Sequence, residues 1–168
     1  MRQYKASSLN SKTWDQHWDL GALGGPKVNS LSRVSNSSFI GTQNGARIKT
    51  FGNSFSSSVS NVTFENLKIY DFKHPIIIDQ AYCTHNSCKQ KGNSHVRITN
   101  VKFINIRGKS ASNVSVQLLC SGKVPCQKIE LQDLNLIYDQ VPTKATCSNF
   151  NGAYDGNHQY PPNFINVD

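Results

Sequence analysis

Polar and apolar positions alternate in short blocks along this chain, and the blocks share a wording. "VSNSSFIG" begins at Val34, "VSNVTFENLKIYDF" at Val59, "VRITNVKFINIRG" at Val96 and "CQKIELQDLNLIYD" at Cys126. Within them Val62 and Phe64, Leu67 and Ile69, and Val101 and Phe103 recur every second residue, the period of a half-buried strand. The wording places Asn36 and Asn61, 25 residues apart, at equivalent positions, as it does Asn100 and Lys128, 28 apart. The interval of 39 between Asn61 and Asn100 then holds an excursion around Cys83 and Cys88. Two or three strands per unit, repeated at this length with insertions on one side, predict an all-β, single-stranded solenoid: a parallel β-helix. A β-sandwich is the competing architecture. It calls for hairpin turns, yet Asn44-Gly45 runs straight into "ARIKTF". Asn61, Asn66, Asn100 and Asn105 recur between apolar residues, as expected if side-chain amides stack from coil to coil. No such repeat is legible in the first 19 residues or from 148 to 168. Both ends are expected to be irregular, around β-helix coils at 20–147.

Composition narrows the partner. Charged residues are only 17% of the chain, but the formal net charge is +8, which favours a polyanion: nucleic acid, an anionic membrane surface or an acidic polysaccharide. The bases are dispersed and not gathered with stacking aromatics, which argues against nucleic acid. No stretch is long and apolar enough to cross a membrane as a helix. Cys83 with Cys88 and Cys120 with Cys126 fall in turn-like segments and suit local disulfide loops of an oxidising compartment, leaving Cys147 over. Zinc-knuckle spacing is absent, and neither metal nor cofactor is expected. The sequons at Asn36, Asn61 and Asn113 are candidate glycosylation sites. Residues 1–11 contain no apolar leader, so a secreted-type body without an export signal is expected to be truncated at its N-terminus.

The string richest in chemistry is "NGARIKTF", Asn44 to Phe51. On a strand Arg47 and Lys49 project to one face and Ile48 to the other. Two cations side by side form a cleft for carboxylates, Arg binding one bidentately and Lys acting as a compact charge. By spacing alone the favoured reading is two ordinary solvated bases on a strand surface, since exposed bases are common.

"NGARIKT" resembles the N-G-x-R-I-K-T of glycoside hydrolase family 28, the polygalacturonases, and other motifs follow in the family's order. "LGALGG" from Leu20 is similar to I-G-S-L-G, and "HPIIIDQAYC" from His74 to N-P-I-I-I-D-Q-x-Y-C. "GKSASNVSVQLLCSGKVPCQKIELQDLNL" from Gly108 resembles G-T-S-A-T…C-S…P-C…I-x-L-x-D-I-x-L. The resemblance runs from about Leu20 to Cys147. It implies a right-handed parallel β-helix that hydrolyses α-1,4-galacturonan with inversion, secreted to the cell wall and acting as a monomer. It makes Arg47 and Lys49 binders of substrate carboxylate and Tyr82 a ring lining the cleft; a ring packed beside the Cys83 loop is the plainer reading of Tyr82. It also implies the bridges Cys83–Cys88 and Cys120–Cys126, with Cys147 matching the first member of a C-terminal pair.

The departures concern catalysis. Inversion needs one carboxyl group as acid and a second to activate water. The family's N-T-D and D-D motifs are missing from this sequence, and its G-H-G aligns with Asp15-Gln16-His17, one position out of register for the histidine. A one-residue shift reverses the face of a strand side chain. Asp15 and Asp19 lie in a segment without family character and are assigned no role. The expectation is a polygalacturonase-like chain of weak or no activity, with a non-catalytic pectin-binding β-helix as the alternative.

Overall fold

The computed structural model describes residues 18–21, 32–41, 43–52, 54–83, 93–155, 161 and 164–167, and in them every regular element is a strand. The first six are β1 (Trp18–Gly21), β2 (Ser32–Ile40), β3 (Asn44–Phe51), β4 (Ser57–Phe72), β5 (His74–Tyr82) and β6 (Val96–Ser110). They are followed by β7 (Val114–Leu119), β8 (Cys126–Gln132), β9 (Asn135–Tyr138), β10 (Val141–Pro142), β11 (Lys144–Ser148), β12 (Phe150–Asp155) and β13 (Phe164–Asn166). One sheet runs β1-β3-β5-β7-β11-β13; the other runs β10-β9-β6-β4-β2, with β8 between β6 and β12. All pairs are parallel except β9 with β10. Each strand thus pairs with its counterpart one coil on, which makes the fold a parallel β-helix and rules out the sandwich. Its repeated parallel crossovers are the connection type for which right-handedness is the rule.

Long strands turn corners through single residues in the left-handed conformation. Asn36, Asn66, Asn105 and Asp133 have φ between 51° and 53°, and Asn61, Asn100 and Lys128 between 54° and 59°. Asparagine tolerates this region better than most side chains do. The amides stack as expected: Asn66 Nδ2 donates to Asn36 Oδ1 at 3.1 Å, Asn105 Nδ2 to Asn66 Oδ1 at 2.7 Å, and Asn100 Nδ2 to Asn61 Oδ1 at 2.5 Å. These bonds also correct the repeat. Asn36 is equivalent to Asn66, not to Asn61, and Val34 pairs with Phe64. Each long strand carries two asparagine corners five residues apart, so similar wording matched the wrong one.

Between the corners, alternate side chains fill the interior. Ile48, Ile78 and Leu118 are fully buried and successive in register, as are Phe64, Phe103 and Leu131 on the opposite sheet. The Phe64 and Phe103 rings stack with centroids 5.2 Å apart and planes 5° from parallel. At Gly108, φ is +148° and a Cβ would lie 1.7 Å from the Ile69 carbonyl oxygen, so only glycine lets the backbones approach there.

The C-terminal segment departs from the irregular tail expected beyond residue 147. β12 pairs with β8 and β13 with β11, and Tyr154 packs edge-on against Phe164. Gly152 and the flanking polar residues interrupt apolar alternation, while main-chain pairing needs no such pattern. At the other end β1 includes Trp18 and Asp19, which the expected arm took in, and residues 1–17 lie outside the described residues.

Cys120 and Cys126 are bonded, with Cα atoms 5.6 Å apart. Cys83 is also in a disulfide, and Cys88, its expected partner, lies outside the described residues. Cys147 is a half-buried thiol in β11.

Candidate functional site

β3 and β5 build the site. Gly45 lets them close: a Cβ there would meet the Pro75 carbonyl oxygen at 2.4 Å. Alternation along β3 then buries Ala46, Ile48 and Thr50 and turns Arg47 and Lys49 outward as half-buried bases. Tyr82 lies at the end of β5 as the register partner of Phe51, their ring centroids 5.4 Å apart. Behind it Gln80 is buried; its Nε2 donates to the Val96 carbonyl at 2.7 Å and its Oε1 accepts from the Ser121 amide at 3.0 Å. This anchors the strand end that carries the ring.

Both cations sit against Tyr82. The Arg47 guanidinium carbon is 4.7 Å from the ring centroid and the Lys49 ammonium nitrogen 4.6 Å. Contacts of this kind contribute about 0.5–1 kcal/mol at exposed sites and hold the charged group in one orientation. Tyr82 is therefore part of the basic cluster and not only packing for the Cys83 loop. Arg47 Nε is buried with no hydrogen-bond partner. A buried charged donor left unsatisfied costs free energy, so an acceptor that reached it would be bound favourably.

The register adds two residues that the sequence reasoning missed. Asp79 is the Cα partner of Lys49. Burial raises its pKa, against the lowering effects of the Ala81 amide, which donates to Asp79 Oδ1 at 2.9 Å, and of Arg47. His74, at the start of β5, has its pKa lowered by burial first and then by Lys73 and Arg47, and its Nδ1 is buried without a partner. Asp79 was legible in principle: Lys49 and Asp79 are 30 residues apart, as are Asn36 and Asn66. A repeat set at 25 hid that equivalence. Asp19, in β1, is the register partner of Arg47. Asp15 and His17 lie outside the described residues.

The sequons fall at corners and turns. Asn36 and Asn61 head the two amide columns, with their Oδ1 atoms already accepting bonds, and Asn113 lies in the exposed turn before β7.

Fold and site together define a parallel β-helix that presents a ring-mounted pair of cations on one outward sheet face. The family profile "Glycosyl hydrolases family 28" matches residues 19–158, and the chain belongs to that family. It is 44% identical over 125 residues to a polygalacturonase of Malus domestica, covering 73% of this chain and 26% of the relative. With a polygalacturonase of Nicotiana tabacum the identity is 38% over 150 residues, covering 85% and 37%. An exopolygalacturonase of Platanus acerifolia is 35% identical over 125 residues, covering 73% and 33%. The chain thus spans about a quarter to just over a third of the length of these relatives.

Proposed function

We propose that this chain serves a pectin-degrading glycoside hydrolase of the cell wall as the part that holds the carboxylates of polygalacturonate. The observation that carries the reading is the pair Arg47 and Lys49 mounted on Tyr82, with Arg47 Nε still lacking an acceptor. Arg47 takes a uronate carboxylate through paired N–H donors and Lys49 supplies a second charge on the same face. The Tyr82 ring keeps both from dispersing into solvent and offers an apolar flank to a sugar ring.

Turnover requires more. An inverting hydrolase uses two carboxyl groups spaced to admit a water, and the family's two acid motifs do not occur in this sequence. Asp79 stands beside a lysine on the binding face, where its carboxylate modulates binding. The chain by itself is therefore expected to bind and scarcely to cut. This same observation favours the second reading, a β-helix that recognises pectin without hydrolysing it.

The test is calorimetric titration of the 168-residue chain with oligogalacturonate, with neutral dextran as control. Arg47→Ala should weaken binding by about 10- to 100-fold, the loss of a charge-assisted contact worth roughly 1.5–3 kcal/mol. Tyr82→Leu should weaken it less, and Tyr82→Phe hardly at all, because the ring face is kept. Unchanged affinity in Arg47→Ala would overturn the reading. Reducing-end release near the typical enzyme rate of about 10 s⁻¹ would restore full catalysis to this chain and direct mutation to Asp19 and Asp79.

A further inference from the structure

A groove of about 500 Å³ lies on the opposite sheet, away from Arg47 and Lys49, along the corner where β2, β4 and β6 bend. Its floor is the column Asn36, Asn66 and Asn105, and its wall carries Ser38, Lys68 and Arg107. We infer that this groove is a second binding site for an acidic polysaccharide. The inference rests on the substrate class proposed above but not on the cleft residues.

The floor is a connected hydrogen-bond chain. Asn105 donates to Asn66 and Asn66 to Asn36, and Arg107 Nε donates to Asn105 Oδ1 at 2.8 Å. Each amide oxygen has a second lone pair and each amide nitrogen a second hydrogen, so the column presents alternating acceptors and donors suited to sugar hydroxyls. Arg107 is held by Nε, which leaves the outer edge of its guanidinium for a carboxylate. Lys68 is its register partner one coil away, about 4.7–4.9 Å along the coil axis. The two bases thus stand side by side on neighbouring coils, where a single polyanion can meet both. Among the described residues neither base has a carboxylate partner. The nearest acids leave the groove basic: Glu65 is engaged by Arg33, and Asp133 follows Asn105 in the column, beyond the lining. Amides and hydroxyls line the groove where nucleic acid would call for stacking rings.

Asn36 belongs to a sequon completed by Ser38, so a glycan there would enter the groove. The experiment therefore uses the full chain folded under oxidising conditions and made free of N-linked glycan, which leaves every lining side chain in place. Calorimetry with oligogalacturonate should give two sites per chain. Lys68→Ser with Arg107→Gln should abolish one of them or weaken it by at least about tenfold, while Arg47→Ala weakens the other by about 10- to 100-fold. An unchanged melting temperature shows the fold intact; if the double variant melts early, Lys68→Met with Arg107→Lys carries the test. A stoichiometry and affinities unmoved by groove substitutions would overturn the inference, as would equal affinity for neutral dextran or tighter binding of single-stranded DNA. Loss of the groove site alone, with the Arg47-dependent site intact, supports it independently of the cleft.

Discussion

The two sheets of this β-helix pair their strands alike, yet two ion pairs on one and a ring-mounted cation pair on the other hold outward bases differently. On the sheet containing β2, β4, β6 and β8, Arg33 meets Glu65 and Lys102 meets Glu130 at 2.7 Å, each pair bridging neighbouring coils. On the sheet containing β3 and β5, Arg47 and Lys49 converge on an aromatic ring. In the two ion pairs the solenoid supplies the cation with an anion from the next coil, as among the described residues it does not for Lys68 and Arg107 at the corner of the same sheet. On the other sheet it supplies an aromatic platform shared by two cations, with Asp79 as the register partner of Lys49. How a base on a strand is held thus depends on the side chains that neighbouring coils bring to it, a carboxylate for Arg33 and Lys102 and a ring for Arg47 and Lys49.

The strongest way to break this comparison is to destroy the register. Gly108→Ala would place a Cβ against the Ile69 backbone at a φ that other residues rarely adopt. Such strain typically costs about 3 kcal/mol or more where backbone cannot retreat. Urea denaturation should show that loss, together with loss of oligogalacturonate binding although no binding residue has changed. Wild-type stability in Gly108→Ala would mean that the coil contacts, and every equivalence drawn from them, are wrong.

A smaller effect sharpens the contrast on the binding face itself. The folded pKa of Asp79 is raised by burial, so its contribution to stability is complete below the ordinary value of 3.8 and is lost as pH rises through the raised value. His74 works in the opposite sense. Its folded pKa is lowered, so stability is complete above 6.5 and declines as pH falls below it. Asp79→Asn should therefore stabilise the chain at neutral pH and flatten the acid-side slope, and His74→Asn should flatten the slope below 6.5. Binding follows the same carboxylate: ionised Asp79 beside Lys49 repels a polyuronate, so affinity should fall a few-fold across its titration and stay constant in Asp79→Asn. Denaturation curves and titrations between pH 4 and pH 8 read both. An Asp79→Asn chain with an unaltered pH profile would detach this acid from the site.

These residues mark the boundary of what the sequence discloses. Strand alternation was readable because burial on one face forces it, so Ile48 inward with Arg47 and Lys49 outward followed from parity. Asparagine corners were readable because few side chains tolerate a left-handed φ. The equivalence of Asn36 was not, because Asn61 and Asn66 offer the same residue type at two corners of one strand, and only main-chain pairing distinguishes them. Asp79 and the partnership of Arg33 depended on that one choice, whereas Lys102 with Glu130 follows from the interval of 28 between Asn100 and Lys128, which the register keeps. β12 and β13 were hidden for a different reason: parallel main-chain bonding extends the helix through "FNGAYD" without the apolar period that reveals a strand.

The smallest expected effect tests the other half of the comparison. Lys102 and Glu130 are both substantially accessible, with side-chain exposures of 41% and 36%, so their bridge is screened and contributes at most about 0–1 kcal/mol. Lys102→Met removes a positive charge, as Arg47→Ala does, and lowers the net charge equally. If polyuronate were attracted only by overall charge, the two substitutions would weaken binding alike and salt would erase both differences. With Lys102 already answered by Glu130, its replacement should leave oligogalacturonate affinity within about twofold at moderate salt, since an exposed pair contributes little. A loss in Lys102→Met equal to that in Arg47→Ala would show that the ring-mounted geometry adds nothing, and would reduce both sheets to a uniformly basic surface.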